Sequence, residues 1–140
     1  MTTAHRAARI FGFGADHEPG FLRVDSSGRI IEISAQKNPD DRLVDHGHKA
    51  LIPGGVNVHN HSFQSLLRGL GDDLPFLEWR ARGLYKYGAH LGPEEIYIGA
   101  LLAFSEMLRS GTTTVCDFFY VHADGLENDR AVLRAADELG

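Results

Sequence analysis

Two pairs of histidines, each with one residue between its members, could hold a metal ion. The second pair, His59 and His61, ends an alternating run that begins at Val56 and is typical of a β-strand. Side chains two residues apart on a strand share a face about 6.6 Å apart, so both imidazoles can converge on one ion. We expect Asn57 to share that face. Val56 and Val58 are then predicted to face the other way and to pack under helices.

The first pair, His46 and His48, provides an internal comparison. It lies beside Lys49 in a stretch typical of a turn, and we predict that it faces solvent. Because 8 histidines in 140 residues make chance pairs common, spacing alone leaves His59 and His61 open between a metal site and a chance pair. The Pro-Gly-Gly lead-in and the position at the carboxyl end of a strand favour the metal site.

Short β-rich runs precede this pair, and helices and strands alternate after it. The first 19 residues show little pattern and are predicted to form no element, because glycine, proline and acidic residues interrupt them. Four strands are predicted after them, separated by turn-rich links, at Phe21–Val24, Arg29–Ile33, Leu43–Val44 and Ala50–Ile52. The first two are predicted to form a hairpin. Helices are predicted at Phe63–Leu67, Phe76–Tyr85, Pro93–Arg109 and Glu127–Leu139, with a strand at Thr112–Phe119.

Alternating strands and helices predict a parallel sheet, in which long loops after a strand's carboxyl end commonly carry the functional site. We divide the chain into a β-rich segment, residues 1–52, and a strand–helix segment, residues 53–140. A net charge of −5 gives no reason to expect nucleic acid as a partner. The single cysteine, and the lack of any apolar run long enough for a signal peptide or membrane span, predict a cytoplasmic protein with no membrane partner.

Three stretches carry a resemblance to a known family. Leu51–His61 resembles the first barrel strand of the amidohydrolase superfamily, and Leu70–Trp79 and Leu101–Thr114 are similar to its heterocycle deaminase and chlorohydrolase branch. The resemblance implies an α/β fold, the N-terminal part of a metal-dependent (β/α)8 TIM barrel preceded by part of a small β-sandwich.

The resemblance also implies a function. It points to a hydrolase acting on C–N bonds other than peptide bonds, with a metal-activated water as nucleophile and deamination of a guanine-like, 8-oxoguanine-like or triazine-like heterocycle as the reaction. His59 and His61 would be ligands of one divalent ion, zinc in preference to iron, and the full-length form would be a homo-oligomer. A formimidoylglutamate-type deiminase, and a non-catalytic fragment or partner subunit, are the alternatives.

Two further residues are candidates for contact with the substrate. Gln64 can donate and accept hydrogen bonds at a ring edge, or it is a solvated residue at a helix start. Trp79 either stacks on a ring of the substrate or anchors a helix.

Asp117 has three possible roles: it lines the pocket, it supports a metal ligand, or it caps a turn. The acid–base residues that the resemblance implies lie beyond residue 140, so we expect the 140-residue chain alone to be inactive.

Overall fold

The computed structural model describes residues 1–12, 14, 20–122 and 125–140, which divide into an N-terminal unit, Met1–Pro53, and a C-terminal unit, Gly54–Gly140. The N-terminal unit is built from short strands. Strands β1 to β6 are Thr3–Ala7, Arg9–Ile10, Gly20–Val24, Ile30–Ser34, Arg42–Asp45 and Ala50–Leu51. Four of them form one sheet in the order β4-β3-β1-β5, and β2 pairs in parallel with β6.

The hairpin predicted in this unit is confirmed, since β3 and β4 pair antiparallel. Its turn is held by Asp25, whose Oδ1 accepts hydrogen bonds from the backbone N–H groups of Ser27 at 2.9 Å and Arg29 at 3.0 Å. Gly28 has a φ of 82°, a conformation that favours glycine. Local turn chemistry therefore fixes which residues of the two strands face each other.

The first ten residues form strands that the sequence analysis did not predict, and that expectation was wrong. β1 lies between β3 and β5, and Ala4, Ala7 and Ile10 are fully buried. Alanines give a weak alternating signal because they are small, and the pairing partners of β1 lie up to 39 residues away in the chain. The predicted breakers Asp16 and Pro19 lie outside the described residues.

The C-terminal unit pairs two parallel strands, β7 (Gly55–Asn60) and β8 (Thr112–Asp117). The chain between them runs through a 3₁₀ segment (Ser62–Leu67), α1 (Phe76–Trp79), a π-helical turn (Arg80–Leu84), α2 (Tyr85–Gly88) and α3 (Pro93–Arg109), and α4 (Glu127–Leu139) follows β8. The predicted order and parallel pairing are confirmed, although Phe118 and Phe119 lie just beyond β8. Among the described residues, no helix combines the length and apolar character that crossing a membrane requires.

Helix α3 is the centre of packing in this unit. It begins at Pro93, and the Glu95 carboxylate accepts a hydrogen bond from the backbone N–H of Gly92 at 3.0 Å. Its apolar face packs against the 3₁₀ segment and α4. The buried side chains of this core are Phe63, Leu67, Leu84, Ile96, Ala100, Ala103, Phe104, Ala131, Val132 and Ala135. The 3₁₀ segment that follows β7 is thereby fixed on α3.

Replacing Gly99 by alanine should displace the 3₁₀ segment. A Cβ at Gly99 would lie 3.1 Å from Cα and 3.2 Å from the carbonyl oxygen of Phe63, which are backbone atoms that cannot rotate away. We expect Gly99→Ala to lower the free energy of unfolding by about 1–3 kcal/mol, although alanine usually stabilises a helix relative to glycine. Gly88→Ala is the control, since its Cβ would meet only Leu84 Cδ1 at 4.0 Å. Equal stability of the two variants in urea unfolding would contradict the prediction.

Protonation of the Asp41 carboxylate in acid should destabilise the N-terminal sheet. The nearly buried Asp41 carboxylate accepts hydrogen bonds from Arg23 Nε and Nη2, at 2.5 and 3.2 Å, and this contact lowers the pKa of Asp41. A lowered folded-state pKa stabilises the fold above about pH 4, the ordinary aspartate value, and the stabilisation is lost as pH falls through the folded-state pKa. At pH 7, Asp41→Asn should therefore speed hydrogen exchange in β3, and the difference from the parent should shrink below pH 4. Asp40→Asn, at an exposed neighbour, should change nothing.

Candidate metal centre

His59 and His61 meet at the carboxyl end of β7. Their Nε2 atoms lie 3.1 Å apart, their ring centroids 4.7 Å apart, and their ring planes cross at 86°. Both rings are accessible to solvent. The two nitrogens therefore converge on one point beside the strand end.

This geometry fits a shared metal ion better than a direct hydrogen bond. Two Nε2 atoms 3.1 Å apart that each bound one ion at about 2.05 Å along the ring axis would place the ring centroids about 4.8 Å apart. A straight N–H···N hydrogen bond of the same length would instead place the centroids about 5.4 Å apart. The observed separation of 4.7 Å matches the first arrangement.

The other histidine pair does not form such a site, and the prediction that His46 faces solvent was wrong. His46 is half-buried, and its Nε2 lies 3.0 Å from His5 Nδ1 on β1. The centroids are 5.3 Å apart and the planes differ by only 11°, which is the geometry of a straight N–H···N hydrogen bond. Burial lowers the pKa of His5, and the neighbouring His46 lowers it further. His48 is exposed, as predicted.

The orientation of His61 is set by the end of β8. His61 Nδ1 lies 2.7 Å from the backbone oxygen of Phe118, and because a carbonyl oxygen can only accept, Nδ1 must carry the proton. Nε2 of the neutral ring then holds a free electron pair, the form that binds a metal. The Phe118 and Tyr120 rings lie 5.6 and 5.3 Å from the His61 ring.

The prediction that Asn57 shares a face with the histidines was wrong. Its amide nitrogen lies 3.8 Å from Met107 Sδ on α3, so Asn57 points towards the helix. Val56 and Val58 do not pack under helices in this chain, since they are 64% and 76% exposed. The pairing of β7 with β8 shifts register between Asn57 and Asn60, and such an irregularity breaks strict alternation of side chains.

The four residues predicted for the site line one cleft of about 450 Å³. His59, His61, Gln64 and Trp79 contribute to it together with Arg68 and Asp72. Within the described ranges, no group of three or more His, Cys, Asp or Glu side chains is arranged to hold a metal ion. The cleft therefore offers two nitrogen ligands from this part of the chain.

A neighbouring cavity of about 290 Å³ is lined by Arg80 and Tyr120, which the sequence patterns did not identify. It shares His61, Gln64 and Trp79 with the cleft. Gln64 Nε2 donates a hydrogen bond to the Tyr120 hydroxyl at 2.5 Å, and burial raises the pKa of Tyr120. The position of Tyr120 just after β8 is the signal that could have identified it, because functional residues gather at the carboxyl ends of parallel strands.

A sequence profile of the amidohydrolase family matches residues 50–140. A 5-methylthioadenosine/S-adenosylhomocysteine deaminase of Syntrophomonas wolfei is 39% identical over 132 residues, which cover 89% of this chain and 30% of the relative.

Two solved structures share the fold. One is an adenosine deaminase from Xanthomonas campestris with bound zinc, at TM-score 0.76 and 26% identity, covering 97% of this chain and 31% of that protein. The other is an atrazine chlorohydrolase from Arthrobacter aurescens complexed with zinc, at TM-score 0.83 and 23% identity, covering 99% and 34%. The chain thus spans about a third of the length of the proteins it matches.

Proposed function

This chain belongs to the amidohydrolase family, and from that premise we propose that it carries two metal ligands of a hydrolase acting on C–N bonds other than peptide bonds. Its fold is that of the N-terminal part of the family's TIM barrel. The observation that carries the proposal is the convergence of His59 and His61 Nε2 at a separation that suits one ion.

The proposed metal is a single divalent ion, zinc in preference to iron. Two of the similar structures hold zinc, and neutral imidazole nitrogens are good ligands for it. A bound divalent ion supplies Lewis-acid activation of water at neutral pH. The Phe118 carbonyl keeps His61 in the tautomer that binds through Nε2. Further ligands and the acid–base residues would come from outside the described residues.

We propose a nitrogen heterocycle, guanine-like, 8-oxoguanine-like or triazine-like, as the substrate that is deaminated. Gln64 lies in the cleft beside His61, and because its Nε2 donates to Tyr120, its Oε1 can accept from a ring N–H. Trp79 lines the same cleft and offers a flat apolar face to a ring. The relative in Syntrophomonas wolfei is named for adenosine derivatives, which also contain a nitrogen heterocycle.

One observation favours a formimidoylglutamate-type deiminase as a second candidate. Arg80 lines the cavity beside His61, and its buried Nε has no hydrogen-bond partner in the described part of the chain. Its guanidinium lies 5.1 Å from the centre of the Tyr85 ring. A cation in a cavity that His61 also lines suits a substrate that carries a carboxylate. The predicted cytoplasmic location and homo-oligomeric state stay predictions.

Zinc titration tests the metal site directly. We expect the purified protein to bind zinc, and His59→Ala and His61→Ala each to weaken binding by more than about 100-fold, because each removes a ligand. His48→Ala should bind as the parent does, since His48 belongs to the exposed turn. No binding by the parent, or an equal loss in His48→Ala, would contradict the proposal and favour the non-catalytic alternative.

Ligand binding to an Arg80→Met variant, measured by calorimetry, separates the two candidates. If the ligand carries a carboxylate, loss of a charged hydrogen bond should raise its dissociation constant by about 10–150-fold. For a neutral heterocycle the change in the dissociation constant should stay within about threefold. Arg82→Met is the matched control, because Arg82 is exposed and pairs with Glu78 at 3.5 Å. A dissociation constant for the formimino substrate that Arg80→Met leaves unchanged would rule out the second candidate.

A further inference from the structure

The carboxylate of Asp117, the last residue of β8, binds the chain on both sides of His61. Its Oδ1 accepts hydrogen bonds from Asn60 Nδ2 at 2.7 Å and from the backbone N–H of Ser62 at 2.8 Å. Its Oδ2 accepts from Ser62 Oγ at 2.6 Å. Ser62 is fully buried, so water does not compete for these contacts. One carboxylate therefore takes three donors from the residues before and after His61.

The next residue of the chain completes the contact. The backbone N–H of Phe118 donates to the Asn60 oxygen at 2.7 Å, and the Phe118 oxygen accepts from His61 Nδ1 at 2.7 Å. Asp117 and Phe118 together hold the backbone before His61, the ring of His61 and the backbone after it. This contact lies beside the register shift, where regular strand pairing does not fix the positions of side chains.

We propose that Asp117 is a positioning residue of the metal centre, which it controls by fixing His61 without touching the ion. The proposal rests on the proposed function, since it takes His61 as a ligand. By holding Asn60 and Ser62, the carboxylate fixes the backbone from which the His61 ring extends. The ring can then donate to Phe118 through Nδ1 and present Nε2 beside His59. Ligand orientation of this kind commonly changes metal affinity by about 10–100-fold.

A purely structural role gives a different expectation. Ser62 begins the 3₁₀ segment. In a purely structural role, the carboxylate that accepts its backbone N–H would do no more than cap that segment. Loss of such a cap would lower the unfolding temperature and leave the His61 ring as it is. The side-chain contact with Asn60 distinguishes the two roles, because Asn60 belongs to β7 and not to the 3₁₀ segment.

Three variants and two readouts test the proposal on the purified protein. Asp117→Ala removes both acceptor oxygens and with them all three hydrogen bonds, Asp117→Asn keeps one acceptor oxygen, and Ser62→Ala removes only the hydroxyl donor. Asp129→Ala is the matched control, since Asp129 lies on α4 and contacts His122 at 3.0 Å. The readouts are the dissociation constant for zinc and the tautomer of His61 in the metal-free protein, measured by ¹⁵N NMR.

We expect the parent and Asp129→Ala to show His61 protonated at Nδ1 and to bind zinc equally. Asp117→Ala should lose the single tautomer and weaken zinc binding by about 10–100-fold, with Asp117→Asn and Ser62→Ala between these limits. A lowered unfolding temperature with both readouts unchanged would overturn the proposal in favour of a cap. Should Asp117→Ala fail to fold, Asp117→Asn and Ser62→Ala decide on the same readouts.

Failure of the proposed function would look different from failure of this inference. If the parent binds no zinc but holds His61 in one tautomer that Asp117→Ala loses, the metal proposal fails, and only the fixing of the His61 ring by Asp117 remains. If the parent binds zinc and Asp117→Ala binds it within about threefold of the parent with the tautomer unchanged, the positioning role fails alone.

Discussion

The parallel pairing of β7 with β8 is the constraint on which the proposed metal centre depends. Parallel strands cannot be joined by a tight turn, so the chain between them must cross over, and here it does so through α3. Their carboxyl ends meet at the same edge of the sheet. This brings His61, from the end of β7, to the carbonyl oxygen of Phe118, which follows β8 57 residues later. The tautomer of a residue on one strand is thus set by the backbone of the other.

Identical spacing in the sequence gives two different geometries in this chain. His59 and His61 cross at 86° with their Nε2 atoms converging, whereas His46 forms a straight contact with a histidine from another strand. The surroundings of each pair decide the outcome. The first pair ends a strand whose neighbour supplies an acceptor for one ring, while His46 follows β5 beside β1, which supplies His5 as its partner. A His-x-His pattern alone therefore does not predict two converging imidazoles, and the position of the pair relative to neighbouring strands carries much of the information.

Sequence patterns predicted the elements with strong local signals. Helix α3 has a proline at its start, acidic residues in its first turn and apolar residues at helical spacing, and the hairpin of the N-terminal unit has turn-forming residues from Asp25 to Gly28. The sequence did not reveal β1, because its neighbours lie far along the chain and its two buried residues are both alanine. It also did not reveal the face of Asn57, since a register shift between two strands depends on their pairing and not on either strand alone. In the site, Gln64 and Trp79 were identified beside the histidines, while Arg80 and Tyr120 reach the cavity only through tertiary packing.

The choice between the two substrate classes depends on the charges around the proposed metal. A neutral heterocycle needs hydrogen bonds and a flat surface, which Gln64 and Trp79 can provide. The Nε of Arg80 is buried and has no hydrogen-bond partner among the described residues. Its guanidinium therefore favours an anionic group over a neutral ring. Arg80 packs within 6.0 Å of the Phe76 ring and 5.1 Å of the Tyr85 ring, and these aromatic faces stabilise the cation when no anion is present. Because the aromatic rings stabilise Arg80, the cavity can hold a neutral ligand. The buried Nε nevertheless gives a ligand with a carboxylate the tighter binding of the two.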